Sequence, residues 1–381
     1  MSKGGHFLAQ QPKKKTKTWV VVVAVILAVI LLLGALAAWF VVSKMNKINR
    51  ANRGDNQLSA EDIGKYMIEA TTAPTEATTA PTTEATTAPT EETKPDYGKL
   101  GKIVNFLLIG QDARPGEDSK NSDTVLLVSV NKETKKITMI SFLRDSFVVI
   151  PKVYDTYGNE HSGQTKLTLA YAMGYKWGGD LGAMEIMDQV VERNFGAVVD
   201  YNVEINLDAF DAIINAVGYI TADLDEDEAA YMNEKFKDYP DRNFKVGENR
   251  LDGWAAEEYA RMRHSSNADN DYKRTARQRT VVSQVLERVK CMNVMQINAL
   301  VDELLDKVLT DMTNSDITTC ITELLPLLPE MTMDSLQCPN ADMDLSGKLI
   351  DLFKDGSPEQ SIQTFTESKA KAIITAITED D

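Results

Sequence analysis

The chain has 381 residues and a formal net charge of −16. That length exceeds one ordinary domain, and so acidic a balance argues against a nucleic-acid binder. The charge is also uneven: residues 1–18 carry Lys3, Lys13, Lys14, Lys15 and Lys17 with no acid, which leaves −21 for residues 44–381.

After this basic tail comes Trp19 to Val42, 24 residues without a charge and with tryptophans at 19 and 39. At about 1.5 Å per residue the run spans about 36 Å, enough for one transmembrane helix across a hydrocarbon core of about 30 Å. A cleaved signal peptide would have a shorter apolar region ending in small residues. Lys44, Lys47, Arg50 and Arg53 follow the span and nearly balance the tail, so lysine and arginine counts alone do not orient it. The next segment does. Within the linker 43–96, Thr71 to Thr93 repeats TTAPTEA, TTAPTTEA and TTAPTEE. Threonine and proline at that density build no core; they make a solvated stalk reaching at most about 70 Å at ~3.1 Å per residue. The expected arrangement is a single-pass cell-membrane protein with residues 1–18 cytoplasmic and the large C-terminal part held extracytoplasmically.

From about Tyr97 the composition becomes that of a folded domain. Ile103 to Gly110 is a short apolar run stopped by glycine and reads as a buried strand. A loop, QDARPGEDSKNSD, leads into two β-branched runs, Thr124 to Val130 and Lys136 to Leu143, on either side of the polar turn at 131–135. This is a hairpin, and antiparallel pairing brings Asp123 close to Arg144 and Asp145 at one sheet end. Ile140, Phe142 and Arg144 share one face by the two-residue period, and Ile137, Met139 and Leu143 line the other, so both faces are buried. Arg144 then emerges where ligands of α/β sheets bind, or closes the strand end as an ion pair. Asp112 belongs to that same end. Two carboxylates there suit a hard cation such as Mg²⁺, or are simply solvated loop acids.

Downstream, Lys166 to Tyr171 opens a helical stretch, continued by Leu181, Met184, Met187, Val190, Val191 and Phe195 at helical spacing. Tyr201 to Asn206 reads as a strand, Phe210 to Val217 as a helix and Tyr219 to Leu224 as a strand, an α/β alternation. The acidic segment Asp223 to Asn249 reads as a long loop or lid with a short helix. Asp252 caps a helix to about Ala260, after which Arg261 and Arg263 face one way only on extended chain. Asp271 is the candidate cap of the following helix, on which Arg274, Arg277, Gln278, Val281 and Val285 form one stripe. Guanidinium groups on a core-facing side need anions, supplied either by a phosphate-rich ligand or by acids of the domain. Cys291, Cys320 and Cys338 show no metal-binding spacing, and no Ser-His-Asp or Cys-His arrangement is legible.

The ordered blocks NFLLIGQDAR, NSDTVLLVSVN, ITMISFLRDSFVVIP, KLTLAYAMG, LDGWAAEEYARMRH and DYKRTARQR, behind one span, resemble the LytR-CpsA-Psr family of cell-envelope proteins across residues 100–290. The resemblance implies an α/β fold with a mixed central sheet flanked by helices and enclosing a polyprenyl chain. It implies a glycopolymer–peptidoglycan phosphotransferase that takes its polymer from a polyprenyl-pyrophosphate carrier in Gram-positive cell-wall assembly. By similarity Asp112 and Asp123 hold Mg²⁺, and Arg144, Arg261, Arg263, Arg274 and Gln278 grip the pyrophosphate with help from Lys166. Arg277 joins the substrate-binding candidates through its place beside Arg274. The family usually has an arginine two residues before the match to Asp123; here that position is Asn121, with Lys120 beside it as a substitute. Arg144, Arg263 and, as candidate base, Asp145 are the catalytic set.

These readings divide the chain into residues 1–18, 19–42, 43–96, a catalytic domain 97–290 and a helical extension 291–381 closing it. Two rivals use the same site. One is a lipid-binding sensor or attenuator, though eighteen cytoplasmic residues cannot form a DNA-binding domain. The other is a polyprenyl-pyrophosphate hydrolase.

Overall fold

The computed structural model describes residues 49–50, 100–111, 121–154, 158–262, 269–304, 307–353, 356 and 358–379. The apolar run 19–42 and the repeats 71–93 lie outside the described residues, and among those described no helix is long and apolar enough to cross a membrane.

A short strand β1 (Asn49–Arg50) precedes β2 (Ile103–Gln111), β3 (Ser122–Asn131) and β4 (Lys136–Phe142). β3 and β4 pair antiparallel from Val125–Phe142 to Asn131–Lys136. The turn between them is set locally: Asn131 Oδ1 accepts from the backbone N–H groups of Glu133 and Thr134, and Lys135 takes φ 52°. A two-stranded ribbon follows, β5 (Phe147–Tyr154) with β6 (Glu160–Lys166). Sequence periodicity does not announce it, because β6 (EHSGQTK) lacks apolar alternation and β5 carries Pro151, beside a register shift between Ile150 and Val153.

The remaining elements wrap and extend the sheet. Helix α1 (Leu167–Phe195) bends at Gly178 and Gly179, and its two halves approach so closely that a Cβ on Gly174 would lie 2.5 Å from the Gly182 carbonyl oxygen. Then come β7 (Tyr201–Ile205), α2 (Leu207–Val217), β8 (Ile220–Leu224), α3 (Glu226–Lys235), β9 (Gly247–Leu251), α4 (Gly253–Arg261) and α5 (Asp269–Lys290). The C-terminal part supplies α6 (Val294–Leu304), β10 (Val308–Thr310), α7 (Asn314–Leu324), β11 (Thr332–Cys338), β12 (Ser346–Ile350), β13 (Gln360–Thr364) and α8 (Glu367–Thr378).

The central sheet has the order β1-β10-β7-β2-β3-β4-β11. It is mixed: β2 runs parallel to β7 and β4 parallel to β11, whereas β2–β3, β3–β4 and β7–β10 are antiparallel. Helices cover both faces, which is why the strands are apolar on both. Leu107, Ile109, Leu127, Ile140 and Phe142 pack with Tyr171, Met187 and Phe195 of α1 and Ile374 of α8. On the other face Leu126, Val128, Ile137 and Met139 meet Val282 and Leu286 of α5 and Leu324 of α7. A second core joins α2, β8, α3, β9, α4 and α5 around Ile214, Met232, Phe236, Ala256 and Tyr259.

Three expectations are corrected. The segment 223–249 is not a lid: Asp225 and Glu228 form a capping box on α3, and Met232, Phe236 and Phe244 are buried in the second core before β9 pairs with β8. Asp271 does not cap α5, which already includes Asp269. Residues 291–381 are not a purely helical extension, since β10 and β11 are strands of the central sheet and α8 packs in its main core. Their weak alternation (VLT, TMDSLQC) hid them, because such strands are specified by their sheet neighbours more than by their own pattern.

Candidate active site

The carboxyl ends of β2, β4 and β7 and the start of β3 meet at one end of the sheet, and there a bulge aims a carboxylate. Gly110 pairs with Thr124 and Gln111 with Ser122, so the register skips Asp123, the extra residue of the bulge. Gly110 allows the close crossing: a Cβ there would sit 2.8 Å from Cβ of Thr124. Asp123 accepts a hydrogen bond from Nη1 of Arg144, the residue that follows β4 by two. Arg144 Nε lies 3.9 Å from Asp145, and Asp145 is 3.1 Å from Lys166 Nζ, at the entry to α1. Backbone contacts fix this corner, since Thr168 N–H donates to the Arg144 carbonyl and Gln363 N–H to that of Asp145, at 2.9 and 2.8 Å.

In front of the bulge opens a groove of about 450 Å³. Leu108, Leu126, Ile205, Leu207, Phe210 and Val282 give it an apolar floor. Its polar rim holds Gln111 and Asp123 from the bulge, Lys235 from α3, Glu257, Glu258 and Arg261 from α4, and Arg274 and Gln278 from α5. Asp252 makes the rim's α4 face possible by capping the helix, its side chain accepting from Ala255 N–H. Glu257, Glu258 and Arg261 then fall on one face at i, i+1 and i+4, with Arg261 2.6 Å from Glu257, while Lys235 reaches Glu258 at 3.3 Å.

The candidates read from sequence therefore separate into groups. Asp123, Arg261, Arg274 and Gln278 line the groove, and Arg144, Asp145 and Lys166 form the chain of ion pairs behind Asp123. Asp145 is held between two cations, which fits a positioning role better than that of a base. Arg277 does not join them. It is buried, pairs with Glu228 of the α3 capping box at 2.9 Å, and donates to the Met262 carbonyl just past α4. The anion its stripe position required is thus a protein carboxylate. Burial, reinforced by nearby Glu228, pushes the phenol of Tyr259 in this same cluster up to about 12. Asp112, Lys120 and Arg263 lie outside the described residues. Sequence reading missed Gln111, Lys235, Glu257 and Glu258; the i, i+4 spacing of Glu257 and Arg261 was the available signal for one of them.

Among the described residues no group of three or more His, Cys, Asp or Glu side chains could hold a metal ion. The oxygen donors of Asp123 at the groove rim nevertheless suit Mg²⁺, which keeps waters and is commonly held by one or two carboxylates together with substrate phosphate.

Apolar side chains thus share one groove with two arginines, a lysine, two glutamines and three carboxylates. The chain belongs to the LytR_cpsA_psr family, whose model matches residues 67–367. Among its relatives is the polyisoprenyl-teichoic acid–peptidoglycan teichoic acid transferase TagU of Oceanobacillus iheyensis, 31% identical over 220 residues. That match covers 58% of this chain and 62% of the relative, so the chain spans less than two-thirds of that relative's length. A crystal structure of a Streptococcus agalactiae protein superposes with a TM-score of 0.56 at 26% identity, covering 74% of this chain and 89% of the other. The structure of TagT bound to LI-WTA shares the fold, with a TM-score of 0.54 at 24% identity over 76% and 94% of the two chains.

Proposed function

We propose that the protein is a membrane-anchored phosphotransferase that moves a glycopolymer from a polyprenyl-pyrophosphate carrier to peptidoglycan, outside the cytoplasmic membrane. The single observation that carries this reading is the groove of about 450 Å³, in which apolar side chains adjoin Arg261, Arg274, Gln278 and Asp123. The floor takes the first isoprene units, since burying them is favourable by about 25 cal/mol per Å² of apolar surface. The arginines take the pyrophosphate through charge-assisted hydrogen bonds. TagU's name describes the same class of transfer, and membership of its family supports the same class here.

Phosphoryl transfer asks for positioning and charge stabilisation more than covalent help from the protein. A hydroxyl of the glycan acceptor attacks the phosphorus bearing the polymer; the new P–O bond forms as the bridging P–O bond breaks, polyprenyl phosphate departs with the electron pair, and the hydroxyl proton passes to water. Arg144 gains a phosphate oxygen in this scheme while it keeps Asp123. Lys166 and Asp145 keep its guanidinium aligned. Mg²⁺ held by Asp123 and Asp112 would neutralise charge on the pyrophosphate. The run 19–42 anchors the domain beside its lipid substrate, and the 71–93 stalk gives it reach toward the wall.

The test is release of polyprenyl phosphate from a glycan-bearing carrier by the full chain in detergent, with and without peptidoglycan. Release that requires peptidoglycan and yields labelled wall supports the transferase. Release without acceptor makes the protein a hydrolase, and binding with no release makes it a sensor.

A further inference from the structure

Gln111 is the last residue of β2 and lines the groove beside the bulge. It is 4% exposed, yet neither Oε1 nor Nε2 of its side-chain amide has a hydrogen-bond partner. Ser122, its cross-strand neighbour, is fully buried and its hydroxyl is likewise unsatisfied, so the two do not satisfy each other. A buried amide left in this state costs stability, whereas an apolar side chain of the same shape would not. The amide lies at the groove wall, where an entering ligand can complete it.

The chemistry of that ligand follows from what the amide offers. Nε2 only donates and Oε1 only accepts. A phosphate oxygen satisfies the first and leaves the second bare. Arg261 and Arg274 on the same rim already supply donors for phosphate. A partner that both accepts and donates completes the amide: a sugar hydroxyl, or an acetamido group, which pairs with it in a two-point amide–amide contact. Resting on the carrier reading above, we infer that Gln111 binds a hydroxyl or acetamido substituent of the sugar joined directly to the pyrophosphate. It thereby makes the site selective for a glycan-bearing carrier over the bare lipid. The bulge gives this selectivity its position, because the register that skips Asp123 pairs Gln111 with Ser122 at the groove wall.

The experiment uses the full chain in detergent, wild type and Gln111→Met, titrated with polyprenyl pyrophosphate and with the same lipid carrying one N-acetylhexosamine; melting temperatures are taken on both proteins. The expected result is about a tenfold loss of affinity for the sugar-bearing lipid, the usual size for a lost buried hydrogen-bond pair, with affinity for the bare lipid changed less than about twofold. The melting temperature should hold or rise, since methionine fills the site without an unsatisfied polar group. Equal losses on both lipids would place the amide on phosphate and overturn the inference. So would unchanged affinity for both, or a lower melting temperature accompanying the loss. Wild-type protein that binds neither lipid would instead overturn the carrier reading on which the inference stands.

Discussion

Two arginine–carboxylate pairs in this fold look alike in sequence and differ in every physical respect that matters for function. At the sheet end, Arg144 and Asp123 are 23% and 28% exposed as side chains, and Asp123 lines the groove. In the second core, Arg277 and Glu228 are 4% and 11% exposed, closed in by α3, α4 and α5. The inner pair is held by protein groups: Glu228 also accepts from its own N-cap and Arg277 also donates to Met262, which leaves Arg277 Nε without a partner. The outer pair reaches the groove through Asp123 and is braced by Asp145 and Lys166, so an arriving phosphate can join it without leaving a charge stranded. A guanidinium paired with a carboxylate therefore does not mark a site by itself. Its access to an apolar groove does.

This contrast can be broken from either side. Removing the inner arginine, as in Arg277→Ala, leaves Glu228 charged and buried, and should cost about 3–5 kcal/mol by chemical denaturation. Replacing both partners, Arg277→Met with Glu228→Leu, should recover most of that loss, because an apolar pair of similar volume removes the stranded charge. At the outer pair the order reverses. Arg144→Ala should lower transfer turnover by about 10²- to 10³-fold, roughly 3–4 kcal/mol of transition-state stabilisation, while the melting temperature moves by only a few degrees.

Smaller effects sharpen the picture. Gly110→Ala forces a Cβ to within 2.8 Å of Thr124 Cβ and should destabilise by about 1–3 kcal/mol, disturbing the bulge that aims Asp123. Its turnover should fall further than its stability explains, as measured on protein held well below its melting temperature. The smallest effect is at Asp252, which pairs with Arg242 at 2.6 Å and caps α4. Burial raises its pKa, but the Arg242 hydrogen bond and the Ala255 N–H outweigh burial and hold the carboxyl below its usual value of 3.8. A depressed folded-state pKa contributes stability that is complete above the unfolded value and is lost as pH falls through the folded one. Asp252→Asn keeps a good cap and removes the charge, so it should cost less than about 1 kcal/mol at neutral pH. That difference should vanish in melts taken progressively below pH 3.8.

Much of the sheet was legible because its strands are long and apolar on both faces: β2, β3 and β4 follow their sequence runs to within a residue or two. Asp123 and Arg144 were legible as neighbours from hairpin geometry alone. The bulge was not, since nothing in GQ or SDT signals that Asp123 drops out of the ladder; register is a property of two strands together. β10 and β11 escaped for a related reason: β10 has three residues, and β11, as long as β4, has no apolar run, so each is specified by its neighbour, β7 or β4. The stripe Arg274-Arg277-Gln278 correctly demanded anions, but helical spacing cannot say which anion each receives. Arg274 and Gln278 look into the groove, and Arg277, one position before Gln278, finds Glu228. That partner sits 49 residues away in sequence, on the short helix expected in the acidic segment, whose composition gave no sign that it packs in the core.

The central claim is that the open pair acts on substrate and the closed pair only holds the fold. Transfer of glycan from a polyprenyl-pyrophosphate carrier to peptidoglycan, measured side by side on Arg144→Ala and on the Arg277→Met, Glu228→Leu double variant, tests it most directly. The account predicts near-wild-type transfer by the double variant and a loss of at least about a hundredfold in folded Arg144→Ala. Wild-type transfer by Arg144→Ala, or a stable double variant that cannot transfer, would contradict it.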